Sequence, residues 1–226
     1  MDIGLFKDRR PLEHRVGLTP GGVRFMTEHG HRVYIQDGAG IEAGFGNRAY
    51  ENVGATGVYS EDDVLLRSEL VIRVSPPPPS EVDRFQEGQI VVSSWHLALA
   101  PADAIASLLD HKVTTVGYEI IEEDNGHAPV LEAMSEIAGR LAVIVGSGLL
   151  LNEFGGKGQL ICGSPGIPPA SMVILGAGTL GRAAARSAQG IAAHVVVLDR
   201  DIDAMRKHQD HVGYDVTTMI ATPAHI

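Results

Sequence analysis

The amino-acid sequence predicts an α/β protein built on parallel sheets, and three observations carry that reading. Short apolar runs alternate with helix starts along most of the chain. Glycine is in excess, 27 in 226 residues against a usual ~7%, with no fixed period. One glycine cluster, Gly176-Ala177-Gly178-Thr179-Leu180-Gly181, falls between an apolar run and a helix-like stretch. Apolar strands joined through helices are buried on both faces, which is the parallel arrangement. Aperiodic glycine excludes collagen and marks turns, caps and close backbone approach.

Each element follows in order. Ile3 to Phe6 reads as a buried strand. Thr19-Pro20 supplies an N-cap and a proline at the first helical position, for a helix that stops at Gly30. Arg32 to Gln36 is the next strand. Ser60 with Glu61, Asp62 and Asp63 starts a helix with acids in its first turn. Leu70 to Val74 is a strand stopped by Pro76, Pro77, Pro78 and Pro79, a stiff turn. Ser80 is expected to cap a short helix, followed by a strand over Gln89 to Ser93. Ala100 to Asp110 is a helix and Val113 to Val116 a strand. A long helix, about Leu131 to Asn152, contains Gly139, Gly146 and Gly148, each unfavourable by ~1 kcal/mol against alanine, so close packing or a bend is expected there. Residues 155–169 form a loop rich in glycine and proline. The domain boundary is placed near residue 130, giving 1–130 and 131–226.

Composition bounds the partners. Lys plus Arg number 18 and Asp plus Glu 28, a formal charge of −10. An acidic chain without a basic cluster has no general attraction to phosphate backbones, so nucleic acid is not expected. The apolar run Leu141 to Leu151 is far short of the ~20 residues that span a bilayer. Met1-Asp2-Ile3-Gly4 does not read as a secretory leader. The single cysteine, Cys162, cannot form an internal disulfide and is read as a packing thiol, in keeping with a reducing compartment. These features predict a cytoplasmic protein that does not enter a membrane.

The 176–181 cluster carries the first chemical reading. Ser171 to Leu175 precedes it as a strand, Arg182 to Gln189 follows as a helix, and His194 to Leu198 is a second strand ending at Asp199. That is the full context of a dinucleotide-binding βαβ unit. Gly176 makes the tight turn, Gly178 lets a pyrophosphate approach the backbone, and Gly181 lets helix and sheet pack closely. The helix N-terminus offers unpaired N–H groups and a partial positive charge. Asp199 suits the ribose hydroxyls and repels a 2′-phosphate, favouring NAD over NADP, a preference that Arg200 weakens slightly. The expected architecture is two Rossmann-like domains with parallel sheets, the second of them truncated.

Further polar residues sit where strands of the first part end: Arg15, Ser75, His96, Tyr118 and Glu119. Ligands of open α/β sheets bind beyond the carboxyl ends of strands, so these side chains are candidates for one pocket. His14-Arg15-Val16-Gly17-Leu18-Thr19-Pro20, Gly38-Ala39-Gly40, Trp95-His96-Leu97-Ala98, the 134–140 segment Met-Ser-Glu-Ile-Ala-Gly-Arg, and Gly163 to Pro169 join the glycine loop. Together they resemble alanine dehydrogenase and the related NAD(H)-binding part of proton-translocating transhydrogenases. His96-Leu97 and residues 134–140 point to the dehydrogenase branch.

The resemblance implies hydride transfer between NAD and C2 of L-alanine, with pyruvate and ammonium as products. It implies that Arg15 clamps the substrate carboxylate and that His96 is the acid/base group. Ser135 and the residues Gly176, Ala177, Gly178, Thr179, Leu180, Gly181, Asp199 and Arg200 would hold the cofactor. Arg73 and Glu119 are further substrate-binding candidates. The substrate class is a small amino acid or 2-oxo acid. Assembly through the 141–151 stretch implies a homo-oligomer, or a complementing chain.

Two departures stand out. The family's carbonyl-polarising lysine aligns with Ser75, which is uncharged, and losing such a contact typically costs ~10²–10³ in rate. Arg73, two residues earlier, is expected to share a strand face with it and reach the site. The sequence ends just after a third strand, Asp215 to Met219, and a helix start at Thr222-Pro223. Half of the expected nucleotide fold is therefore missing, and Ala221 stands where the family often has serine. The alternative is a non-catalytic or partner-dependent NAD(H)-binding subunit, including a transhydrogenase-like component. His208 and His211 are read as a solvated helix face, and no metal is expected.

Overall fold

The computed structural model describes residues 1–225; Ile226 lies outside the described residues. The chain divides into two compact units between Glu122 and Glu123, whereas the sequence pattern puts the boundary near residue 130.

The first unit holds six parallel strands: β1 Asp2–Leu5, β2 Arg32–Gln36, β3 Thr56–Val58, β4 Leu70–Ile72, β5 Ile90–Ser93 and β6 Thr114–Gly117. Their order in the sheet is β3-β2-β1-β4-β5-β6. The order reverses between β1 and β4, where doubly wound sheets open a crevice at their carboxyl ends. The connecting helices are α1 Pro20–Glu28, α2 Asn47–Glu51, α3 Glu61–Arg67, α4 Pro79–Val82 and α5 Ala102–Asp110.

Local chemistry explains their limits. Thr19 Oγ1 accepts from the Gly22 N–H, and Ser60 Oγ from the Asp63 N–H. Ser80 does not cap α4; Pro78 precedes the helix and Ser80 lies inside its first turn. α2 and β3 were not read from the sequence. β3 has three residues, two of them exposed, and so lacks an apolar run. Two cores flank the sheet. Ile3, Leu5, Val23, Val33 and Ile35 pack on one face. Val64, Leu65, Val71, Phe85, Val91 and Leu108 pack on the other. Each fully buried valine or leucine contributes about 1.5–3 kcal/mol over exposure.

The second unit begins with the long helix α6 Pro129–Leu149, earlier at both ends than the sequence pattern placed it. The parallel strands β7 Ser171–Leu175, β8 His194–Asp199 and β9 Thr217–Ile220 lie in that order. Between them run α7 Thr179–Gly190 and α8 Ile202–Val212. The core contains Ala184, Ala185 and Ala188 of α7 with Ile174, Val195, Val197 and Val143. Small residues on α7 let it lie close to both sheet and α6. Gly139 of α6 is needed for the same reason, since a Cβ there would fall 2.3 Å from the Leu180 carbonyl oxygen. Gly146 and Gly148 meet nothing comparable.

Two expectations are corrected here. Cys162 is exposed and not a packing thiol, because its 155–169 loop is largely exposed. His208 is not on a solvated face; it is fully buried, while His211 is exposed. The α8 face that contains Met205 and His208 turns inward against the unit's core. The α6 stretch read as an assembly surface exposes Leu141, Ile144, Val145 and Leu149 in the single chain. Among the described residues no helix is long and apolar enough to cross a membrane.

Candidate functional site

The first-unit candidates fall at the carboxyl ends of four neighbouring strands. Arg15 follows β1, Ser75 follows β4, His96 follows β5 and Glu119 follows β6, the order in which those strands lie in the sheet. Hydrogen bonds carry the strand alignment beyond the ladders: the Arg73 N–H donates to the Val92 carbonyl and the Ser94 N–H to the Val74 carbonyl, at 3.0 and 3.1 Å. Gly17 brings the segment after Arg15 across the end of β4, where a Cβ would lie 2.5 Å from the Ile72 carbonyl oxygen.

Glu13 joins Arg15 to Ser75 and was missed at the sequence level. Its Oε1 accepts from Arg15 Nε at 2.8 Å and its Oε2 from Arg15 Nη2 at 2.7 Å. The Ser75 hydroxyl donates to the same Oε2 at 3.1 Å. The Arg15 guanidinium pulls the Glu13 carboxyl down to about 2, against the upward push of burial. Glu13 in turn raises Arg15 further above its ordinary value. The fork expected to clamp a substrate carboxylate thus engages an internal carboxylate. Glu13 lies only two residues before Arg15, and that spacing was the available signal.

Arg73 does not reach the site. It is buried, with Nε donating to the Ser75 carbonyl at 2.7 Å and Nη1 to Glu81 at 2.9 Å. Asp8 lies 3.8 Å from Nη2, and the guanidinium sits 5.2 Å from the Phe6 ring centroid. The expectation failed because β4 ends at Ile72. The chain bends at residues 74 and 75, so strand alternation does not carry from 73 to 75. A buried guanidinium must also be paired, and the acids Asp8 and Glu81 pair it here. Ser75 is buried too, its N–H donating to Asp8 Oδ2 at 3.0 Å.

His96 presents an exposed side chain from a left-handed backbone, φ 45° and ψ 46°. Its N–H donates to Glu119 Oε1 at 2.7 Å. Burial pushes the neighbouring Tyr118 phenol up to about 12, so it is a neutral hydrogen-bonding group at ordinary pH. A cleft of about 410 Å³ opens beside β1 and β2, lined by Lys7, Asp8, Arg10, Glu13, His14 and Glu42 among others. Within it Glu42 bridges Lys7 at 2.9 Å and His14 at 2.7 Å, a pairing with no sequence signal.

In the second unit the glycine loop has the conformation its sequence implies. Gly176 takes φ +110°, and a Cβ on Gly181 would lie 1.9 Å from the Gly176 carbonyl oxygen. A Cβ on Gly178 would meet nothing, so the space above it is open. α7 starts at Thr179 with its first-turn N–H groups at this opening, a geometry that suits a pyrophosphate. Asp199 Oδ2 accepts from the Ala177 N–H at 2.6 Å and Oδ1 from the Asp201 N–H at 2.9 Å. The bond from Ala177 is the main reason its carboxyl lies below the ordinary range.

A cleft of about 670 Å³ is lined by Gly176, Asp199, Arg200, Ala221 and Thr222 among others. Asp199 and Arg200 thus flank the opening where a ribose is expected. Arg182 was missed as part of the loop: it donates to the Ala177 carbonyl and, at 3.1 Å, to Thr179 Oγ1. Leu180 is partly exposed. Ser135 lies on α6 one turn before Gly139 and is half-buried. Among the described residues there is no cluster of three potential metal ligands.

Comparison with known proteins places these features in one context. A family model described as the alanine dehydrogenase/PNT N-terminal domain matches residues 4–138, and the corresponding C-terminal domain model matches residues 142–226. An alanine dehydrogenase of Bacillus subtilis is 38% identical over 226 residues, which is 100% of this chain and 59% of the relative. One from Mycobacterium tuberculosis is 41% identical over 207 residues, 92% of this chain and 56% of the relative. This chain therefore spans well under two thirds of the length of these relatives. A solved L-alanine dehydrogenase structure superposes with TM-score 0.89 at 38% identity, covering 100% of this chain and 62% of that one. A transhydrogenase from Sinorhizobium meliloti, 21% identical, shares the fold at TM-score 0.77 over 97% of this chain and 64% of its own.

Proposed function

The chain belongs to the alanine dehydrogenase/PNT family, and from that premise we propose that it acts as an NAD-dependent amino-acid dehydrogenase of the L-alanine type. The single observation that carries the reading is the open cradle at Gly178, with Asp199 lining the adjoining cleft. Bound there, NAD would accept or return a hydride at C2 of the substrate. The backbone N–H groups at the start of α7 would face its pyrophosphate. Asp199 would accept from the ribose hydroxyls with lone pairs left over from its two backbone bonds, and Ser135 would lie near the cofactor.

In the first unit, Arg15 would exchange Glu13 for the substrate carboxylate, a swap between two bidentate partners. The exposed His96 imidazole would move the proton at the C2 nitrogen or oxygen. The proposed partners are a small amino acid or its 2-oxo acid and further copies of the same chain, and the proposed compartment is the cytoplasm. The test is turnover by the full chain its gene encodes. NADH is expected to accumulate with NAD and L-alanine; no NADH with any amino acid sinks the reading.

A second reading has a specific observation behind it. Ser75 offers only a hydroxyl, and Arg73 is held by Glu81 and the Ser75 carbonyl. No cation from this segment faces a substrate, which favours an NAD(H)-binding subunit that works with another chain. NAD binding that appears only when a second polypeptide is added would establish it.

A further inference from the structure

His96 is held in place by a side chain from the neighbouring strand end. The left-handed region its backbone occupies is one that L residues enter at a cost. Leu12, Lys112 and Ala192 are also left-handed; the last two follow helix ends and their N–H groups bond locally, to the Leu109 and Gln189 carbonyls. His96 differs. Its N–H donates to Glu119 Oε1, from a residue 23 positions away in the chain. The other oxygen, Glu119 Oε2, is shielded from solvent and has no hydrogen-bond partner among the described residues.

Space for the carboxylate is built into the end of β6. Gly117 pairs with Ser93 of β5 in the sheet. A Cβ on Gly117 would lie 2.9 Å from Glu119 Oε1 and 3.0 Å from its carboxyl carbon. Glycine at 117 therefore leaves the carboxylate where it meets His96.

We propose that Glu119 is the positioning residue of this site: its carboxylate fixes the His96 backbone in the left-handed conformation and so aims the imidazole at the substrate. The proposal rests on the dehydrogenase reading for its effect on turnover, but not for the contact itself. Misplacement of a reacting group by about 1 Å can cost up to ~10²-fold in rate. Glu119→Ala is expected to lower kcat roughly tenfold to a hundredfold on that scale, with KM for the amino acid little changed. Glu119→Gln keeps an acceptor for the N–H and is expected to retain most activity. Gly117→Ala, which displaces only the flexible end of the Glu119 side chain, is expected to lower kcat in the same direction but by less, and Gly117→Ala with Glu119→Ala to be no worse than Glu119→Ala alone.

Amide hydrogen exchange at His96 tests the contact without turnover: slow in wild type and Glu119→Gln, fast in Glu119→Ala. Fast exchange in wild type overturns the proposal. So does unchanged kcat in Glu119→Ala, or a Glu119→Gln variant as damaged as Glu119→Ala. If wild type turns over no amino acid, the dehydrogenase reading fails while the exchange result still decides the contact. Should Gly117→Ala fail to fold, the two Glu119 variants decide alone.

Discussion

Arg15 and Arg73 both meet carboxylates, and burial separates what each can do. The Arg73 guanidinium is 2% exposed and its charge is cancelled by Glu81 and Asp8, so releasing it would leave buried acids unpaired. Arg15 is 55% exposed and held by Glu13, which is also bonded to Ser75. Replacing Ser75 by lysine is expected to bring an ammonium to Glu13 and, on the proposed function, to the substrate carboxylate. Ser75→Lys is expected to raise kcat/KM by at least tenfold, toward the ~10²–10³ scale of such contacts; steady-state kinetics check it, and no gain argues that Ser75 is not a lesion. His208 gives a pH prediction. Burial lowers its pKa, with the Arg182 charge acting in the same direction. The unfolded chain then binds the proton more readily, so stability is full above the unfolded value near 6.5 and falls as pH drops below it. The slope is at most ~1.4 kcal/mol per pH unit for one group. Urea midpoints compared between pH 7 and pH 5 are expected to fall less in His208→Phe than in wild type.

At the scale of elements, the pairing of α6 with α7 and the 176–181 turn depend on absent Cβ atoms. A methyl at Gly139 would press on the Leu180 carbonyl, and one at Gly181 on the Gly176 carbonyl. Both neighbours are backbone, so neither can move cheaply. Gly139→Ala is expected to destabilise by about 1–3 kcal/mol through overpacking, read as a fall in thermal midpoint. Gly181→Ala is expected to weaken NAD binding as well, because its clash lies in the cradle itself; calorimetric titration separates the two. The βαβ pattern around this turn was legible in the sequence because each residue type has a local job. α2 and β3 were not legible, since they are short and carry no apolar period. The end of β4 was misjudged because Arg73 and Val74 continue its residue pattern while the ladder stops at Ile72.

At the scale of the whole molecule, the exposed apolar residues Leu141, Ile144, Val145 and Leu149 all belong to α6. The family resemblance makes this helix the expected assembly surface. Light scattering is expected to give a multiple of the 24.0 kDa chain mass, or of the mass of a longer encoded protein. Ile144→Glu is expected to lower the multiple by placing a charge on that face. A monomeric mass for the wild-type protein counts against assembly.

The sequence by itself determined the parallel α/β class, the glycine loop with Asp199, and the row Arg15, Ser75, His96 and Glu119 at strand ends. These follow from local rules: apolar runs, caps, and glycine where the backbone must turn or be approached. Only the tertiary structure decided who pairs with whom. It gave Ser75 to Glu13, buried Arg73 among acids, turned His208 inward, and brought Glu119 to the His96 N–H. Those outcomes depend on strand order and on where each ladder stops, and charge pairing across distant segments leaves no periodic trace in a single chain.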